Sequence, residues 1–320
     1  MSIKQKKFKI YDAWLLWSLS YRCNLDCAYC FIASSIRKTA KVPNIDISSL
    51  TRVIENTHKT FKFFFSGGEP FLTPNLVEAC IEITKKHYIS LATNLTDTRV
   101  KEFAERVNPK RVFRIRASAH TKELERLNLL DTYINNFLLL KEKGFNVKAV
   151  EVAYPPLLNE VKKYKQLFKK KGIELNFIPF FGDYSGKKYP GSYTEQELRI
   201  FGVDILDVKK LYQRGKICNG GYNAGVVFPN GDIQPCPEIK EDMGNIYEKI
   251  EFKNKLIICP FEFCGCPLKS ADPYLFEKAL EEAAVLHALS RKFDRFLGKI
   301  GLFLKRNYPR LYFLIKKIKD

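Results

Sequence analysis

Three cysteines stand close together near the start of the chain, in the run Cys23-Asn-Leu-Asp-Cys27-Ala-Tyr-Cys30. Three thiolates on one short loop can hold three irons of a [4Fe–4S] cluster and leave the fourth iron without a protein ligand. An open iron is a chemical site, by the same distinction that separates open catalytic metal sites from closed structural ones. The competing assignment is a structural zinc knuckle. It needs a fourth ligand, and neither His nor another Cys lies near the loop in sequence. Downstream comes Phe65-Ser66-Gly67-Gly68-Glu69-Pro70, where two glycines can expose backbone groups to a ligand and Glu69 can accept from an ammonium group. Asn94 and Ser118 each close a later apolar run.

What must position these residues is a repeated strand-then-helix pattern between about residues 13 and 180. The apolar or β-branched runs are Ala13–Ser18, Lys62–Phe65, Tyr88–Thr93, Arg111–Ser118, Asn146–Ala153 and Ile173–Phe180. Helical-period segments separate them, with Ser48 and Asp97 as expected N-caps and Gly144 and Gly172 as expected C-terminal stops. Alternating strands and helices predict an α/β fold with a parallel sheet. Six units fall short of the eight of a closed barrel, so a partial (β/α)6 TIM-like barrel is expected. In such a barrel the strand C-termini share one mouth, and the cysteine loop, the Gly-Gly-Glu turn, Asn94 and Ser118 converge there.

The rest of the chain has a different texture. A Gly-, Tyr- and Pro-rich stretch after Phe180 reads as an ordered loop, followed by a helix over roughly Glu195–Arg214. The segment Gly225–Cys236 reads as a hairpin turning at Asn230-Gly231. Five cysteines, Cys218, Cys236, Cys259, Cys264 and Cys266, fall in this last third, whereas Cys80 reads as a buried small hydrophobe on a helix. Two helical stretches, Tyr274–Arg306 and Arg310–Lys319, end the chain. The expected organisation is a core over 1–185, a cysteine-rich α+β extension over 186–270 and a terminal amphipathic helical tail over 271–320.

With 320 residues, 46% apolar and 28% charged, the composition is that of a globular protein and excludes disorder throughout. No run of 18 apolar residues occurs, and the basic, then apolar N-terminus lacks a small-residue cleavage site. A cytoplasmic location is expected, where nine cysteines serve as metal ligands or nucleophiles rather than disulfides.

The Cys-x3-Cys-x2-Cys loop followed by Gly-Gly-Glu resembles the radical S-adenosylmethionine enzymes over roughly residues 10–180. The resemblance implies that Cys23, Cys27 and Cys30 hold the catalytic cluster and that Tyr29 lies near the adenine. It further implies that the Ser66-Gly67-Gly68-Glu69 turn binds the methionyl amino group and that Ser118 contacts the ribose or carboxylate. Asn94 and Arg126 are weaker candidates for binding the cofactor. Where many relatives carry Ser-x-Asp, this chain has Ser118-Ala-His120, and surface placement of His120 is at least as well supported as a role. The implied chemistry is one-electron cleavage of S-adenosylmethionine to a 5′-deoxyadenosyl radical that abstracts a substrate hydrogen, with a flavodoxin- or ferredoxin-like electron donor.

The spacing around Cys218, Gly231 and Cys236 is similar to the SPASM and twitch auxiliary-cluster domains of that superfamily. Five cysteines suffice for one auxiliary [4Fe–4S] cluster with one over, which favours the shorter twitch arrangement and leaves open which of Cys259, Cys264 and Cys266 is spare. A closed zinc site ranks second. The resemblance suggests a peptide, a protein or a sugar- or lipid-linked envelope precursor as substrate. Only about a dozen residues precede the first strand, too few for a fused leader-peptide-binding domain.

The formal charge is +19, and residues 291–320 hold ten Lys or Arg against two Asp. Apolar residues at helical spacing among them suit either a membrane-surface helix on anionic lipid or a face packed on the barrel. Nucleic acid is not the expected partner, since no RNA-binding module accompanies the charge. A tRNA-modifying enzyme and a non-catalytic iron–sulfur or zinc scaffold are the alternatives.

Overall fold

The computed structural model describes residues 11–209 and 211–264. Six strands, β1 (Ala13–Ser20), β2 (Phe61–Gly67), β3 (Tyr88–Thr93), β4 (Val112–Ser118), β5 (Val147–Ala153) and β6 (Leu175–Pro179), follow one another in space as in sequence. Each pairs in parallel with the next. Parallel neighbours need crossovers, and here helices supply them: α1 (Ser34–Thr39), α2 (Ile47–Asn56), α3 (Leu76–Thr84), α4 (Arg99–Arg106), α5 (Thr121–Arg126), α6 (Leu130–Glu142) and α7 (Val161–Lys170). The expected α/β arrangement with a partial-barrel sheet is therefore present, and every strand end falls within two residues of its expected place.

Alternate strand residues form one continuous core with the helices. Leu15 and Trp17 of β1, and Phe61, Phe63 and Phe65 of β2, are sealed against Leu50, Val53 and Ile54 of α2 and their neighbours. The three β2 rings stack 5.5 and 6.1 Å apart. Cys80 is fully buried in this layer on α3. The opposite sheet face carries a second, smaller apolar cluster of Trp14, Leu16, Ala224, Val226 and Phe228.

The helix stops at Gly144 and Gly172 hold, with φ of 84° and 71° where an L side chain would be strained. The N-caps differ. Asp46, not Ser48, caps α2 by accepting from the Ser49 amide, because the helix begins two residues earlier than its apolar period suggests. Asp97 accepts from the Arg99 amide, while Thr98 occupies the cap position of α4.

Beyond β6, the Tyr-rich stretch contains a short hairpin, β7 (Gly182–Tyr184) and β8 (Lys187–Tyr189). The expected long helix is two, α8 (Glu195–Phe201) and α9 (Ile205–Lys209). Gly202 breaks it by adopting φ of 74°. Next come β9 (Ile217–Cys218), β10 (Ala224–Val227), β11 (Ile233–Gln234), β12 (Gly244–Asn245), β13 (Lys249–Ile250) and β14 (Ile257–Ile258). β10 and β11 form the expected hairpin, and Gly231 turns it with φ of 91°. β10 also pairs in parallel with β1, from Trp14↔Ala224 to Trp17↔Val227. The sheet thus has eight strands in the order β11-β10-β1-β2-β3-β4-β5-β6. No helix among the described residues is long and apolar enough to cross a membrane. Cys266, the helices expected over Tyr274–Arg306 and Arg310–Lys319, and the basic segment 291–320 lie outside the described residues.

Candidate functional site

The cysteine loop leaves the C-terminal end of β1 and is held by groups far from it in sequence. The Cys23 amide donates to the Arg37 carbonyl at 3.1 Å, and the Cys30 amide to the Cys27 carbonyl at 3.2 Å. Arg37, only 4% exposed, turns its guanidinium back into the loop. It donates to the carbonyls of Ile32 and Cys27, pairs with the Asp26 carboxylate and lies against the Cys30 thiol. Asp26 also accepts from Lys38 and Ser34, and these donors hold its carboxyl well below the usual carboxylate range. Its amide donates to Glu123 Oε2 at 2.8 Å, a carboxylate that Arg126 grips with two hydrogen bonds of 2.9 and 2.7 Å. Arg126 therefore reaches the loop through Glu123.

The loop thiols lie within electrostatic reach of one another. Burial pushes Cys23 up to about 11, with negative charge at Glu69 and Cys30 adding to the rise. Burial, then Cys23 and Cys30, raises Cys27 further. Partly buried thiols that repel one another as anions are groups whose protons a bound cation displaces. Among the described residues no three His, Cys, Asp or Glu side chains converge as ligands of a single ion. A cubane gives each thiolate its own iron, and three loop thiols within electrostatic reach of one another suit that mode of binding.

The Gly-Gly-Glu turn docks directly on this loop. The Gly68 amide donates to the Ser20 carbonyl and the Glu69 amide to the Arg22 carbonyl, both at 2.8 Å. A Cβ on Gly68 would stand 1.9 Å from the Arg22 oxygen, and one on Gly67 2.3 Å from the Ser20 oxygen. These glycines let two backbones meet, and the Gly68 and Glu69 amides are engaged within the protein. Ser66, half-buried, pairs in register with Ser18 of β1. Glu69 is 2% exposed and accepts from the Phe71 amide (3.1 Å), the Thr93 hydroxyl (2.7 Å) and the Asn94 amide (2.7 Å). Burial nonetheless pushes its carboxyl up to about 7. The Asn94 side chain donates to Asn24 Oδ1 at 2.8 Å and accepts from Thr96, so it ties the β3 end to the cysteine loop.

On the far side of the mouth, the Tyr29 hydroxyl donates to Glu151 Oε1 and touches His120 Nδ1, both at 2.8 Å. With its one proton given to the carboxylate, the Tyr29 oxygen accepts from His120, which assigns His120 the Nδ1–H tautomer. His120 is thus a half-buried partner of the loop and not a surface residue, held in the left-handed region at φ of 39°. Burial lowers its pKa. Glu151, 1% exposed, also accepts from the Thr121 and Val152 amides. Ser118 ends β4 at the mouth, half-buried and in register with Val150.

The C-terminal cysteines form a separate group. β9 pairs with β14, setting Cys218 opposite Ile257, and Cys259 follows that strand directly. Cys218, Cys236, Cys259 and Cys264 interact electrostatically, and burial with this mutual repulsion raises the first two. The Gly220 amide donates to the Cys218 sulfur at 3.4 Å and the Ile239 amide to the Cys236 sulfur at 3.3 Å.

The sequence pointed to the cysteines, Glu69 and Asn94, but not to Arg37, Asp26, Glu123 or Glu151. Glu151 had a signal, being the lone acid in the apolar run Ala149–Ala153.

Comparison with known proteins matches residues 17–170 to the Radical SAM superfamily. An uncharacterised protein of Methanocaldococcus jannaschii is 25% identical over 280 residues, covering 79% of this chain and 93% of that protein. The antilisterial bacteriocin subtilosin biosynthesis protein AlbA of Bacillus subtilis is 24% identical over 263 residues, 72% of this chain but 56% of AlbA. Among solved structures, native anSMEcpe with bound AdoMet shares the fold with a TM-score of 0.54 at 21% identity, over 74% of this chain and 78% of that one.

Proposed function

We propose, from the match of residues 17–170 to the Radical SAM superfamily, that this chain is an enzyme that cleaves S-adenosylmethionine reductively and abstracts hydrogen from its substrate. The observation that carries this reading is the three-cysteine loop locked against a buried acid, Glu69, at the mouth of the sheet. Cys23, Cys27 and Cys30 would hold a [4Fe–4S] cluster. When bound, it supplies the electron that splits S-adenosylmethionine into methionine and a 5′-deoxyadenosyl radical. The chain's own residues bind and orient. Arg37 and Asp26 fix the loop, Glu69 takes the cofactor's ammonium, and Asn94 braces the β3 end against the loop. Tyr29, anchored through Glu151 and His120, would flank the adenine, and Ser118 would meet the ribose or carboxylate.

Cys218, Cys236, Cys259 and Cys264 would hold an auxiliary [4Fe–4S] cluster, and the amides of Gly220 and Ile239 favour the thiolate form of two of them. The likeness to a bacteriocin biosynthesis protein favours a peptide over an envelope precursor as substrate. A flavodoxin- or ferredoxin-like protein would deliver the electron. The test is formation of 5′-deoxyadenosine after anaerobic reconstitution with iron and sulfide, with S-adenosylmethionine and a strong reductant. Product from the wild type and none from Cys30→Ala is expected. Equal product from both removes the loop from the chemistry.

A further inference from the structure

Arg116 lies on the face of the sheet that the helices do not cover. Its register partners there are Ala92 of β3 and Lys148 of β5, and Ser118 is the next residue of β4 on the same face. The guanidinium carbon stands 5.3 Å from the centre of the Phe64 ring. That stacking supports one face of the cation and leaves its edge free to donate. Arg116 is half-buried, and among the described residues no carboxylate pairs with it. The seven strands β1–β6 and β10 contain one acid, Glu151, which alternation puts on the helix-covered side with Ala149 and Ala153 and which Tyr29 and Thr121 engage.

A half-buried cation held this way is poised for an anion. Arginine cannot shed its proton, and the edge of its guanidinium keeps donors that no carboxylate of the described residues meets. Burial and the positive charge of Arg114 both work against Arg116. Lysine at 148 adds a third cation on the next strand.

We propose that Arg116 is the anchor of an oxyanion site on this face, taking a carboxylate or phosphate group of the molecule bound beneath the mouth. The planar fork accepts two oxygens at once, a geometry an ammonium cannot reproduce. The oxyanion comes from the substrate or from the cofactor's own carboxylate, and only this choice of source rests on the function proposed above.

The full-length, reconstituted protein and its Arg116→Gln and Arg116→Lys variants would be compared by equilibrium dialysis at fixed ionic strength. The probes are inorganic tripolyphosphate, S-adenosylmethionine and decarboxylated S-adenosylmethionine, and the exposed Lys143→Gln is the charge control. The expected result is a loss of tripolyphosphate affinity of at least tenfold in Arg116→Gln, a smaller loss in Arg116→Lys and less than twofold in Lys143→Gln, with S-adenosylmethionine unaffected. A loss for S-adenosylmethionine that vanishes with the decarboxylated compound assigns the oxyanion to the cofactor. Arg116→Gln binding all three probes like the wild type, or Lys143→Gln losing as much as Arg116→Gln, overturns the site. Should the wild type bind no S-adenosylmethionine, the radical reading falls while the tripolyphosphate comparison still reports on Arg116.

Discussion

Glu69 links the buried geometry to a pH dependence whose sign can be worked out. Its carboxyl titrates at about 7 because burial outweighs the three donors that favour the anion. An ammonium ligand needs the ionised form. At pH 6 only about one tenth of the protein is ionised there, so apparent affinity for S-adenosylmethionine is about tenfold weaker than at pH 8, and close to one proton leaves on binding. Ligand-free stability runs the other way. A carboxyl raised from 4.5 to about 7 gives stability that is full below pH 4.5 and lost as pH rises through 7, about 3 kcal/mol in all. Glu69→Gln removes the charge and offers one acceptor where two oxygens served three donors. One donor set then faces an NH2 group, at about 1–3 kcal/mol of stability. Binding by this variant should weaken by at least tenfold and become flat across pH 6–8. Isothermal titration calorimetry in buffers of different ionisation enthalpy reads affinity and proton release together. Equal wild-type affinity at pH 6 and pH 8, or a variant that binds as the wild type does, refutes the assignment.

Arg37→Met should remove about 1–3 kcal/mol, because the Ile32 and Cys27 carbonyls lose their buried donor while Lys38 and Ser34 still serve Asp26. Iron bound at the loop should fall while the C-terminal group keeps its own; unchanged melting temperature with full iron content contradicts this. Cys236→Ala should release about four irons, one cubane's worth, and leave the loop cluster in place. Zinc at a single equivalent, with iron unaltered, would instead make the C-terminal group a closed zinc site.

The fold was legible because its signals are local. β-branched and aromatic runs alternate with helical periods, and glycines at 144 and 172 sit where a helix must end. Two features were not. Gly202 breaks a pattern whose apolar period continues through it, and only its positive φ separates α8 from α9. The return of β10 to pair with β1 joins residues some two hundred positions apart, and no local pattern at Ala224–Val227 names that partner.

The site divides along the same line. Thiolates need only type and spacing to be recognised, so Cys23, Cys27 and Cys30 stand out in the sequence. The groups that hold them do not. Arg37 lies in Ser34–Thr39, a short basic helix that reads as solvent-facing, yet the chain folds it beneath the loop to neutralise Asp26 and cap free carbonyls. His120 stands where the resemblance expects an acid, and the acid of this site is Glu151, thirty-one residues on, joined to it through the Tyr29 hydroxyl. In this chain the carboxylate on this side of the mouth stands on β5, and the histidine joins it in anchoring Tyr29, the aromatic residue before Cys30. Both contacts converge on the Tyr29 hydroxyl, an anchor that residue identity at position 120 alone does not disclose.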